Sequence, residues 1–286
     1  MFKYGVAAII WTEEFKVKDL PVIEKAKSMG FDAIDINISH PETFPTKKVR
    51  NKLKEVGIEA VTTFGLSEDA NVIHSDRKTR RKGVEVIKRV IDINYELGSK
   101  IFAGVFYAAW GYLSGKPRAK DEWKWSVEAM REAALYAKDN GKLVLAVEVL
   151  NRFESHFLNI ADDAVKYCKE VGTGNMKVHL DTFHMIREET SFTEAVEACG
   201  KKYLGYVHVC ENNRGIPGTG LVPWKEFFRA LKKVGYNGPL TIESFDPNFE
   251  ELNRLCCIWR KFAETGEELA EQGLKNLKKI EKSLAK

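Results

Sequence analysis

The 286-residue chain contains no run of about eighteen apolar residues, so no segment of it reads as a membrane-spanning helix. Its five cysteines (Cys168, Cys199, Cys210, Cys256 and Cys257) are odd in number and have no CxxC spacing. That pattern argues against a disulfide scaffold or a cysteine zinc site and makes a reducing cytoplasm the expected setting. The opening MFKYGVAAIIW is apolar but lacks the basic n-region and cleavage site of a signal peptide, and reads better as a first strand. An excess of one charge is missing too: 45 Lys and Arg against 41 Asp and Glu leave a net charge of +4, with both signs mixed throughout. This balance excludes a dedicated nucleic-acid surface or a polybasic membrane patch. No Gly-rich phosphate turn follows the first apolar segment, which counts against an open dinucleotide-binding sheet.

What is present is periodic. Short apolar, largely β-branched segments fall at Tyr4–Ile10, Phe31–Ile38, Ile58–Phe64, Ile101–Tyr107, the run beginning at Leu143, Met176–Leu180, Leu204–Val209 and Leu240–Glu243. Helix-period segments alternate with them at Leu20–Met29, Lys47–Val56, Gly83–Leu97, Trp123–Asp139, Ile160–Val171, Thr193–Ala198 and Trp224–Val234. Several of these end on a glycine, such as Gly30, Gly57 and Gly98. Ser67–Arg81 and Asn212–Pro223 read as loops, and the charged tail Leu252–Lys286 as helix. Eight strands alternating with helices predict one α/β domain over residues 1–286, a parallel (β/α)8 TIM barrel with a C-terminal helical extension.

The stretch LVLAVEVLNRFESHFLN, from Leu143 to Asn159, stands out. Glu148 interrupts an apolar strand, where an ionised carboxylate is costly unless something pairs with it. Active sites of such barrels lie at the C-terminal ends of the strands. Those ends supply Glu148 from strand five, Asp181 from strand six, His208 from strand seven and Glu243 from strand eight. Three carboxylates and an imidazole suit a divalent cation such as Mn2+, or Co2+ or Zn2+, rather than copper or iron–sulfur chemistry. Each residue alone has a plainer reading: Asp181 as a helix cap, His208 as a core histidine, Glu243 in a surface ion pair. Their joint occurrence at four consecutive strand ends is what points to a metal.

VEVLNRFE from Val147, LDTFHM from Leu180, the H-x-x-E-x-N-R-x-x-P-G-x-G loop from His208, and Glu243 together resemble a known family. They are similar to the D-tagatose/D-allulose (D-psicose) 3-epimerases, ketose 3-epimerases of the xylose isomerase-like TIM-barrel superfamily. The likeness extends from the Gly5 strand to the Trp259–Arg260 pair. It implies that Glu148, Asp181, His208 and Glu243 bind Mn2+ or Co2+, with Glu148 and Glu243 also acting as acid and base, and no organic cofactor. It also implies that Glu154, His184 and Arg214 contact the O1 to O3 end of a free ketose, with Trp110, Trp11 and Gly65 lining the pocket. Substrates such as D-fructose/D-allulose or D-tagatose/D-sorbose follow from it, as does a homodimer or homotetramer. Ala7 and Ala8 stand where family members commonly carry an aromatic residue, Cys210 is unusual, and Ser-Phe-Asp-Pro follows Glu243. These departures bear on which ketose is preferred and leave the reaction type intact.

The residue types suit that chemistry. The C3 proton of a 2-ketose is acidic only because the adjacent carbonyl takes up charge, and a divalent cation stabilises the resulting cis-enediolate. One carboxylate removes the proton from one face and a second returns a proton from the other. Plainer readings exist for the outer residues: Arg214 as a solvated loop charge, His184 as a helix cap, Trp11 and Trp110 as core aromatics. The competing functions are an aldose–ketose isomerase on the same scaffold, an endonuclease IV-like metal phosphodiesterase and a non-catalytic sugar-binding barrel.

Overall fold

Eight parallel strands close on themselves in chain order, with β1 paired to β2 on one side and to β8 on the other in this computed structural model. The strands are β1 (Lys3–Ala7), β2 (Ala33–Asn37), β3 (Glu59–Leu66), β4 (Ile101–Ala109), β5 (Val144–Glu148), β6 (Met176–Asp181), β7 (Leu204–His208) and β8 (Pro239–Ile242). The structure describes residues 1–284, so the last two residues of the expected helical tail, Ala285 and Lys286, lie outside the described residues. The predicted barrel is what forms, and each expected strand is found within a few residues.

The helices are α1 (Pro21–Ser28), α2 (Thr46–Val56), α3 (Arg77–Leu97), α4 (Lys120–Asn140), α5 (Ala161–Val171), α6 (Thr182–Glu188), α7 (Phe192–Tyr203), α8 (Trp224–Val234), α9 (Glu250–Cys256) and α10 (Gly266–Ser283). Their apolar stripes face the strands. In α8, for example, Trp224, Phe227, Phe228 and Leu231 are buried at spacings of three and four. Burying each such side chain is worth about 1.5–3 kcal/mol. Helix α3 starts at Arg77, earlier than its apolar period suggests, because Asp76 caps it by accepting from the Thr79 backbone N–H at 2.8 Å. Gly57 and Gly98 close α2 and α3 with φ of +67° and +76°, a conformation glycine adopts without strain.

Two local expectations are corrected. A helix unforeseen in the sequence, α6, begins directly after β6. The tail is two helices, because Cys257 to Thr265 breaks the run. Helix α10 packs against α8 and β8, and its buried Glu281 accepts from the Tyr4 hydroxyl and the Phe2 backbone N–H, both at 3.0 Å. Helix α9 instead covers the barrel mouth. Leu252 and Cys256 join Ala7, Ile9, Phe245 and Ile258 in a satellite cluster that touches Trp110.

Candidate active site

Three of the four expected ligands end their strands: Glu148 closes β5, Asp181 closes β6 and His208 closes β7. Glu243 follows β8 by one residue. All four are at least nine-tenths buried or nearly so. Asp181, His208 and Glu243 offer ligand atoms within 4.8 Å of one another, and Glu148 stands within that distance of Asp181 in one grouping and of His208 in another. Glu148 and Glu243 are the one pair of the four that shares no such grouping, as expected for two carboxylates facing across a site.

Asp181 has a double role that its two oxygens make compatible. Oδ1 accepts from the Phe183 backbone N–H at 2.8 Å and caps α6, while Oδ2 faces the cluster. There the guanidinium of Arg214 donates through Nη1 to Asp181 Oδ2 at 2.7 Å and to Glu243 Oε2 at 2.8 Å. Arg214 is no solvated loop charge: it is 3 % exposed, stacks on Phe183, and adopts a φ of +62°. Such a backbone is strained for a non-glycine residue, by about 1–3 kcal/mol, and is held here by Ser244 Oγ donating to the Arg214 carbonyl.

His184 projects from the first turn of α6 into the same space. Its Nδ1 accepts from the Asn151 backbone N–H at 3.1 Å, so the neutral ring carries its proton on Nε2, which points toward the carboxylates of Glu148 and Asp181. Glu154 is fixed by Asn151 Nδ2 at 3.0 Å and by the indole N–H of Trp110 at 3.3 Å. A cavity of about 430 Å3 opens above these groups, and Trp110, Gly65, Glu148, Glu154, His184, Arg214 and Glu243 all line it. Trp11 is the exception. Its ring lies under Lys25 and against Gly266 at the start of α10, away from the cavity, so the structure does not bring it to the site.

A match to the family of xylose isomerase-like TIM barrels covers residues 23–280. The chain is 34% identical over 279 residues to an L-ribulose 3-epimerase of Methylomonas sp. (strain DH-1), covering 96% of each chain. It is 33% identical to a D-psicose 3-epimerase of Agrobacterium fabrum, covering 90% of each. A crystal structure of D-allulose 3-epimerase from Methylomonas sp. in complex with D-allulose superposes with a TM-score of 0.93 at 33% identity, over 98% of this chain and 97% of that one. The chain belongs to the ketose 3-epimerases of the xylose isomerase-like TIM-barrel family.

In this member of the family, the electrostatics separate the two glutamates. Burial, reinforced by Glu243 and Asp181, holds the Glu148 carboxyl well above the usual range despite the opposing pull of His208. Burial also pushes Glu243 up, but His208 and Arg214 outweigh it and bring the carboxyl down to about 2. Burial pulls the His208 imidazole down, yet Glu243 and Asp35 carry it well above the ordinary histidine value. For His184, burial prevails over Glu154 and Asp181 and lowers the pKa, in keeping with a neutral ring.

Sequence reading missed Asp35, in the middle of β2. Its Oδ2 lies 3.0 Å from His208 Nε2 and 2.8 Å from the Tyr206 hydroxyl, and its Oδ1 accepts from Thr63 at 2.9 Å. The one usable signal is a carboxylate in the apolar run Ala33–Ile38, the same signal that exposed Glu148. Two other residues emerge as positioning groups. Asn151 holds His184 and Glu154, and Glu211 organises the loop after β7 by accepting from Gly218, Val222 and Trp224.

Proposed function

We propose that the protein is a divalent-metal-dependent 3-epimerase of free ketoses, with Glu148 and Glu243 as the two proton-transferring groups. The observation that carries the metal is His208. Its Nε2 is tied to Asp35, while its buried Nδ1 has no hydrogen-bond partner among the described residues and faces Glu243 Oε2 at 3.4 Å. An imidazole held by a carboxylate at one nitrogen, with the other aimed at a cluster of carboxylates, is the arrangement of a metal-ligating histidine. Glu148, Asp181, His208 and Glu243 would hold the ion, and their oxygen-rich donor set favours Mn2+, with Co2+ also suited. Cys210 lies beside these groups, and burial raises its thiol well above the usual pKa.

When bound, the ion supplies Lewis-acid stabilisation of charge on the ketose oxygens at C2 and C3. The protein's residues do the rest. His184, with its proton on Nε2, and Arg214 donate to oxygens on which charge develops, and Glu154 accepts from a hydroxyl at the C1 end. One glutamate takes the C3 proton, leaving a cis-enediolate, and the other delivers a proton to the opposite face, which inverts C3. Which of the two removes the proton depends on the configuration of the substrate. Trp110 and Gly65 form the wall beside the sugar.

D-Allulose is the substrate class to begin with, since the Methylomonas structure named above holds it. The outer cavity lining includes Glu13, Glu14 and Glu251, and Arg214 is the one Arg or Lys in the lining. This acidic rim favours unphosphorylated sugars. Stripping the metal and restoring Mn2+ tests the reading: D-fructose must appear from D-allulose with the metal and not without it. Formation of an aldose instead would support the isomerase, and no conversion of any ketose would overturn the reading.

A further inference from the structure

We infer that the enzyme also epimerises ketoses that carry a glycosyl unit at the end of the chain remote from the carbonyl, with the second sugar seated in a separate cavity. This rests on the 3-epimerase reading and extends it to a larger substrate class.

The orientation of the substrate follows from the barrel. Glu154, which accepts at the C1 end, follows β5, and His184, which donates to the charge-bearing oxygens next to it, follows β6. In a closed barrel of eight strands β1 lies opposite β5, and β2 opposite β6. The C4 to C6 end therefore points to the loops after β1 and β2. A second cavity of about 230 Å3 lies there, formed by residues 14–17 after β1 and residues 39–45 after β2. Glu14, Ser39 and His40 line both cavities, so the two share an edge.

The size and lining suit one sugar. The first cavity already falls within the roughly 300–1,000 Å3 typical of drug-sized ligands, more than a lone ketohexose fills. Phe15, Phe44 and Pro45 give the second an apolar floor for the C–H face of a pyranose, while Ser39 and Thr43 offer hydroxyls to its rim. Its two opposite charges, Glu14 and Lys16, pair with each other at 2.6 Å, so the space suits an uncharged group. The reaction is unchanged: the C3–H bond breaks to a glutamate and a new one forms on the other face, while the glycosidic bond remains intact.

The test uses the Mn2+-loaded enzyme with D-fructose and with 6-O-α-D-glucopyranosyl-D-fructose, followed by NMR for C3 epimers in D2O. Both should epimerise. Thr43→Trp, at an exposed position lining only the second cavity, should cut kcat/KM for the disaccharide by about ten-fold or more and leave D-fructose unchanged. Turnover of D-fructose without turnover of the disaccharide overturns this inference alone. Equal effects of Thr43→Trp on both sugars, or none on either, also overturn it, because the second sugar is then elsewhere. Failure of both sugars overturns the epimerase reading with it.

Discussion

Asp35 Oδ2 and His208 Nε2 lie 3.0 Å apart, although 173 residues separate them in the chain. Tyr206 has one hydroxyl proton and lies within reach of both Asp35 and Thr241. With that proton donated to Asp35 Oδ2, the Tyr206 oxygen accepts from Thr241. The result is a fixed chain, Thr241–Tyr206–Asp35–His208, that leaves His208 Nδ1 toward the carboxylates. Asp35→Asn should weaken Mn2+ binding by about 10–100-fold while the fold persists. Calorimetric titration of the metal alongside circular dichroism checks this, and an unaltered affinity would show that Asp35 does not orient His208 for the ion.

Arg214 is the cation that Asp181 and Glu243 hold directly. Removing it leaves Asp181 and Glu243 buried without their partner, and losing one side of a buried pair costs about 3–5 kcal/mol. Arg214→Met should therefore unfold at a markedly lower temperature than the parent in EDTA. Mn2+ should recover much of the difference, since a second cation then neutralises the same oxygens. Melting curves of both proteins with and without metal decide it, and equal curves in EDTA would contradict the pairing.

Metal binding should release protons and strengthen as pH rises. Glu148 and His208 both have raised pKa values, so each stays protonated to higher pH than an ordinary glutamate or histidine. A metal ion needs both deprotonated. Glu243, depressed to about 2, contributes no such release at neutral pH. Titrations in buffers of different ionisation enthalpy measure the protons lost; a pH-independent affinity with none released would be the contrary result.

Gly65 is open to a local test. A Cβ added there would stand 2.9 Å from Cε3 of Trp110, whose indole holds Glu154. Gly65→Ala should displace the ring and lower kcat/KM by about ten-fold, with little change in melting temperature. Unchanged kinetics would show that Trp110 is not positioned from that side.

The strand ends were legible because each puts a polar residue after an apolar run, and in a parallel barrel only the C-terminal ends need such residues. Glu148, Asp181, His208 and Glu243 were found in that way. Helix α6 was not, because Asp181 both ends a strand and caps the helix, leaving no loop between them to read. Trp11 was misplaced because an aromatic residue after a first strand carries no sign of which way the chain turns, and here it turns toward α10. The Asp35 network stayed hidden for a different reason: its members sit on β2, β3, β7 and β8 and meet only when the barrel closes.

Two glutamates acting on C3 from opposite faces should leave a mark in the product. The most direct test is NMR of the Mn2+-loaded enzyme turning over D-allulose in D2O, with Glu148→Gln and Glu243→Gln beside the parent. The D-fructose formed should carry deuterium at C3, and each variant should lose about 10²–10⁴-fold in epimerisation. Inversion that keeps the original hydrogen at C3, or deuterium at C1 accompanied by an aldose, would contradict the two-glutamate transfer.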